Sequence, residues 1–97
     1  MSELKITESM IKSQIKDLLA LKGIFSFPVT QGLGSYRGIP DRCMHYRGKV
    51  VFLEIKTPAG KLSEHQEAFW RQCLDDKVAY WVIRSIEDLE SHLQEGK

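Results

Sequence analysis

The chain has 97 residues, enough for one domain spanning 1–97 and too few for a second of ordinary size. Hydrophobic residues make up 42 % and charged residues 28 %, which reads as globular and excludes a disordered or fibrous chain. The net charge of +1 gives the whole chain no strong pull on a polyanion.

No apolar run nears the roughly 20 residues of a membrane-spanning helix. The opening Met1-Ser2-Glu3-Leu4-Lys5 lacks a signal-peptide core, so a cytoplasmic protein is expected. Cys43 and Cys73 match no zinc or CxxC spacing and read as two buried, reduced thiols. Charge is unevenly spread. Residues 1–60 carry nine basic and five acidic side chains, residues 61–97 five and eight. Between Arg37 and Lys61 stand six basic residues against only Asp41 and Glu54. A basic region with two embedded carboxylates is compatible with a phosphate-rich ligand.

In chain order, Thr7 reads as an N-cap, and Ile11, Ile15, Leu18 and Leu19 then recur at helical spacing until Gly23. Ile24 to Thr30 reads as a strand. Gln31 to Gly38, with three glycines and a serine, reads as a loop. Ile39–Tyr46 and Lys49–Thr57 read as two strands joined by a two-residue turn at Arg47-Gly48, where Arg47 must accept an unusual backbone conformation. Pro58 and Gly60 break the second strand. Ser63 and Gln66 form a capping box that opens a helix to about Asp76. Ala79–Ile83 is a further strand, and Ser85 with Asp88 starts a last helix to about Gln94. The order α-β-β-β-α-β-α describes an α/β domain, a small mixed sheet flanked by helices.

The hairpin places the chemistry. With Arg47-Gly48 as the turn, Tyr46 pairs with Lys49, and counting back sets Asp41 across from Glu54, with Cβ atoms about 5 Å apart. Lys56 shares the face of Glu54. Two facing carboxylates repel unless compensated. A hard divalent cation such as Mg²⁺ or Mn²⁺ compensates them, and so does a cross-strand salt bridge near the strand end. The strand is otherwise apolar on both faces, Val50 to Leu53 and Ile55, which places it centrally in the sheet. Glu8 lines up with the apolar stripe of the first helix. There it either rests at the edge of the stripe, favoured by the helix dipole, or points at a cation.

Gly38-Ile39-Pro40-Asp41, then Glu54-Ile55-Lys56, then Gly60-Lys61-Leu62-Ser63 with Gln66, resemble the PD-(D/E)xK nuclease superfamily. More narrowly they resemble its virus-type replication–repair nuclease domain, VRR-NUC, in the small stand-alone phage or bacterial form. The likeness runs from Glu8 to Ala79–Ile83. It implies a restriction-endonuclease-like core and a metal-dependent phosphodiesterase. By that resemblance Asp41, Glu54, the backbone carbonyl of Ile55 and Glu8 hold Mg²⁺ or Mn²⁺. Lys56 positions the attacking water or stabilises the transition state, and Gln66 lies beside them. The Gln31–Gly38 loop, with Ser35 and Arg37, resembles a segment that contacts DNA backbone.

Phosphate contacts by Arg37, Lys49 and Lys61 would make DNA affinity fall with salt. Tyr36, an aromatic in a glycine loop, either stacks on an exposed base at a branch point or rests on its own domain. His45 falls near the acidic pair or is an exposed strand histidine, and His65 is read as surface. Phe69, Trp70 and Leu74 read as core or interface, and Trp81 as core. The leading expectation is a structure-selective DNA endonuclease, a homodimeric Holliday-junction resolvase in a bacterial or phage-infected cell. Its rivals are a flap or single-strand nuclease, a non-catalytic DNA-binding module on the same fold, and a structural protein whose carboxylates only form salt bridges.

Overall fold

A computed structural model describes residues 5–95 of the chain; the reading of the extreme N-terminus, residues 1–4, lies outside them. Helix α1 (Glu8–Leu21) is followed by strands β1 (Ser26–Pro28), β2 (Arg42–Tyr46) and β3 (Lys49–Ile55). Helix α2 (Glu64–Asp76), strand β4 (Ala79–Ile83) and helix α3 (Ile86–Glu95) complete the chain. The expected order α-β-β-β-α-β-α is the observed one. The four strands form one mixed sheet in the order β1-β2-β3-β4, antiparallel except for the parallel pair β3–β4. Strand β3 is internal, as its two apolar faces require.

Local chemistry sets the element ends. Thr7 Oγ1 accepts the Met10 amide at 3.2 Å and starts α1. Ser63 and Gln66 close a full capping box on α2, with bonds of 2.9 and 3.2 Å. The β2–β3 turn puts Arg47 at φ 52° and Gly48 at φ 77°, the left-handed pair that matches strand twist in a two-residue hairpin. The register is the expected one, with Tyr46 opposite Lys49 and Arg42 opposite Leu53.

Three strands are shorter than the sequence reading, and β3 stops at Ile55, two residues before Thr57. Strand β1 keeps only Ser26–Pro28 of Ile24–Thr30, because Pro28 donates no ladder hydrogen bond and is tolerated at the sheet edge. Strand β2 begins at Arg42 rather than Ile39, since Gly38 is left-handed at φ 82° and Pro40 has no amide to pair.

One face of the sheet, with Met44, Val51, Leu53, Ile55, Trp81 and Ile83, packs against Ile11, Ile15 and Leu19 of α1 and Leu89 and Leu93 of α3. Trp81 is core, as read, edge-on to Tyr46, whose hydroxyl donates to the Leu93 carbonyl at 2.6 Å. Helix α2 covers the other face through Phe69, whose ring meets Phe52 edge-on at 5.3 Å and Tyr80 at 6.1 Å. Trp70 and Leu74 stay outside this packing and are exposed. Both cysteines are buried free thiols. Among the described residues no helix is long and apolar enough to cross a membrane.

Candidate functional site

The carboxyl end of β3 is where three elements meet. Alternation turns Val51, Leu53 and Ile55 to the α1/α3 side and Phe52 and Glu54 to the α2 side. Glu54 therefore lies under α2, 1 % exposed, a carboxyl group among core residues. The first turn of α2 supplies one partner: Gln66 Nε2 donates to Glu54 Oε2 at 3.2 Å. The same Gln66 closes the capping box through its Oε1, so a helix-starting motif also orients a buried acid. Glu54 Oε1 has no hydrogen-bond partner among the described residues, and neither does the buried Tyr80 hydroxyl. Burial pushes the Glu54 carboxyl up to about 9, and the nearby Asp41 adds to the rise while Lys56 opposes it. Burial likewise raises the Tyr80 phenol.

Asp41 stands one residue before β2. Its amide donates to the Leu53 carbonyl at 3.1 Å, and its Oδ2 accepts the Ile55 amide at 2.7 Å. The carboxylate is thus fixed on the backbone of β3 next to Glu54. Its other oxygen, Oδ1, lies 3.1 Å from Lys12 Nζ, which is also 3.2 Å from Glu8 Oε2. Burial works to lower the Lys12 ammonium, but its bonds to Asp41 and Glu8 outweigh this and raise it above its ordinary value. Glu8, Lys12, Asp41, Ile55 and Gln66 line one cleft of about 660 Å³.

Among the described residues no three His, Cys, Asp or Glu side chains form a ready metal cage. Glu8 and Asp41 hold Lys12 between them, while Glu54 is buried beside Asp41. The donor chemistry still fits a hard divalent ion. A buried carboxyl oxygen with no hydrogen-bond partner among the described residues, a carboxylate beside it and a third acid on α1 are hard oxygen donors of the kind such an ion takes.

The loop residues are less uniform. Gly38 packs so closely on the first turn of α2 that a Cβ there would overlap the His65 carbonyl, which brings residues 31–38 to the edge of the site. Ser35 Oγ is used inside the loop, accepting the Gly32 amide at 3.0 Å and donating to its carbonyl at 2.8 Å. Arg37 Nη1 lies 3.4 Å from His65 Nε2, beside a second cleft shared with Gln66. Tyr36 remains 72 % exposed and only touches Phe69 edge-on at 6.2 Å. Lys56 is half-buried next to Glu54, and Lys61 is exposed after the strand.

Lys49 is not brought to the site. It sits at the hairpin end of β3, five residues or roughly 17 Å from Glu54. His45 is also at that end, its ring tilted against Phe25 with centroids 4.9 Å apart.

Two residues escaped the sequence reading. Lys12 was signalled only by its i,i+4 spacing from Glu8. Arg84 Nη1 donates to the carbonyls of Thr57 at 2.8 Å and Gly60 at 2.6 Å, holding the loop that follows Lys56. No local pattern announces that clasp.

No protein-family model matches the chain, and no curated protein matches it. A solved structure described as a VRR_NUC domain is similar to it, with a TM-score of 0.78 at 18 % identity over 93 % of this chain and 97 % of the other. At that identity the likeness speaks for the backbone, and the fold of this chain is that of a VRR_NUC domain.

Proposed function

We propose that the chain is a divalent-metal-dependent DNA endonuclease that selects its substrate by structure, acting as a homodimer on four-way junctions. The observation that carries this reading is Glu54, a buried carboxyl with one oxygen that has no hydrogen-bond partner among the described residues, beside Asp41, which lines the cleft. A purely structural ion pair would satisfy that oxygen, whereas a catalytic acid awaiting a cation leaves it open.

Asp41, Glu54, the Ile55 carbonyl and Glu8 would hold Mg²⁺ or Mn²⁺. Such an ion, when bound, supplies an activated water and neutralises charge at the phosphorus. The protein's own side chains do the rest. Gln66 fixes the rotamer of Glu54 through its 3.2 Å bond. The Ile55 amide holds Asp41 in one orientation. Lys56, on the same face as Glu54, offers a cation for the charge that grows on the phosphoryl oxygens. Arg37, Ser35 and Tyr36 on the loop and Lys61 beyond the strand would carry backbone and branch-point contacts. Lys49, at the far end of the sheet, would serve binding only.

Three supports bear on the substrate and the assembly. The resemblance of Gly38–Asp41, Glu54–Lys56 and Gly60–Gln66 to VRR-NUC motifs is joined by the VRR_NUC fold. Exposed Trp70 and Leu74 on α2 leave apolar surface for a second copy, and a twofold dimer would set two sites at a fixed separation. The exposed Tyr36 ring suits stacking on an unpaired base.

The test is cleavage of an immobile four-way junction, a flap, a linear duplex and a single strand in Mg²⁺, Mn²⁺ or EDTA, by wild type and Asp41→Asn. Paired symmetric cuts on the junction, lost in EDTA and in the variant, are expected. Cuts confined to the flap or single strand would discard the resolvase and keep the site. Metal-dependent cutting by Asp41→Asn would sink the site itself, and junction binding without any cutting would leave a DNA-binding module.

A further inference from the structure

Lys12 lines the cleft, and the reaction outlined above gives it no task. It follows Glu8 by one helical turn, the spacing at which an ammonium reaches back to a carboxylate. Its Nζ lies 3.2 Å from Glu8 Oε2 and 3.1 Å from Asp41 Oδ1. One cation therefore joins an acid on α1 to an acid at the end of β2, and both acids are among the oxygens that would hold a divalent ion. Glu54 is treated differently: it meets the Gln66 amide and keeps a bare oxygen.

An ammonium and a divalent ion compete for these oxygens. They draw on the same lone pairs, and at a few ångströms they repel each other. We propose that Lys12 is the resident cation of the metal-free centre and competes with the divalent ion for Asp41 and Glu8. The proposal rests on the metal-site reading above. It gives Lys12 two effects. The internal cation keeps neighbouring acids from repelling while no metal is bound, and it raises the metal concentration at which the centre loads.

Lys16 is the built-in contrast. It lies one turn further along α1 and lines the same cleft, yet makes no ion pair among the described residues. Both Lys12 pairs are partly open to solvent, with the Lys12 side chain 42 % exposed. Two such pairs, each a little above the middle of the surface range, correspond together to roughly tenfold in affinity.

The experiment is a Mn²⁺ titration of the full chain without DNA, read from the EPR signal of the free ion. It uses wild type, Lys12→Met, Lys12→Gln, Lys12→Arg and Lys16→Met, with circular dichroism as the folding check. Methionine and glutamine both suit a helix interior, so either folded variant decides the matter. Lys12→Met and Lys12→Gln should bind Mn²⁺ about tenfold more tightly than wild type. Lys12→Arg keeps the charge and should stay close to wild type, and Lys16→Met should not move. Unchanged or weaker binding by the Lys12 variants overturns the proposal. So does an equal gain in Lys16→Met, which would trace the effect to net charge. Failure of every chain to bind Mn²⁺ would remove the metal site, and the proposal with it, whereas equal binding by all removes the proposal alone.

Discussion

The burial of Glu54 should make the metal-free protein less stable as pH rises, and Glu54→Gln should cancel that loss. The folded carboxyl is pushed up to about 9, whereas an ordinary one sits at 4.5. A group raised in the folded state contributes fully below the unfolded value, and the contribution is lost as pH climbs toward the folded one. The window is therefore from about pH 4.5 to about pH 9. At about 1.4 kcal/mol per pH unit, keeping this proton at pH 8 costs at most about 5 kcal/mol relative to the unfolded chain. Glutamine is neutral, nearly isosteric and can still accept from Gln66, so the variant escapes the cost. Thermal melts in EDTA from pH 4.5 to 8.5 check this. The two proteins should melt together at the acid end, and Glu54→Gln should gain steadily above it. Half of the ceiling would separate the melting temperatures by roughly 10 °C or more in a domain of this size. Millimolar Mn²⁺ should then raise wild type and leave the variant unmoved, because only the ionised acid recruits the ion. Parallel stability profiles for the two proteins in EDTA would refute the reasoning, and with it the idea that Glu54 is held short of a counter-charge.

Gly38→Ala should destabilise the protein by more than about 1 kcal/mol in urea unfolding, since φ is 82° and the added methyl meets the His65 carbonyl. Its cleavage should fall beyond the stability loss, because the displaced turn carries Gln66. Arg84→Ala removes the shared donor from the Thr57 and Gly60 carbonyls and should cost about 1–3 kcal/mol. Amide exchange in residues 57–60 should accelerate in that variant while the β2–β3 ladder stays protected.

The parts of this site that could be read from sequence are those set by short-range rules. A two-residue turn fixes the register of a hairpin, so Arg47-Gly48 was enough to bring Asp41 beside Glu54 across thirteen positions of chain. The Ser63–Gln66 spacing likewise announced a helix start, and the three glycines of Gln31–Gly38 announced the loop before the strand. The same turn could also have shown that Lys49 belongs to the opposite end of the sheet. Its charge drew attention to it, although position along β3 excludes it from the cleft. What stayed hidden depends on packing between elements distant in sequence. The Arg84 clasp joins positions 24 to 27 residues apart through backbone carbonyls, which carry no sequence signal at all.

Lys12 is the instructive middle case. Its spacing from Glu8 was visible, but an i,i+4 pair on a helix is usually a solvated surface contact worth a few tenths of a kcal/mol. Only the docking of α1 beside the end of β2 turns that pair into a three-way contact with Asp41. The packing that buries Ile11 and Ile15 against the sheet also delivers the neighbouring lysine to the acids. The core thus fixes the electrostatics of the site. Three acids stand near one sheet end, and the fold meets their repulsion in two ways: an ammonium between Asp41 and Glu8, and burial that favours the protonated form of Glu54. On the proposed metal-site reading, a divalent ion would take the place of both the ammonium and that proton. A centre built only for stability would have put apolar residues there instead.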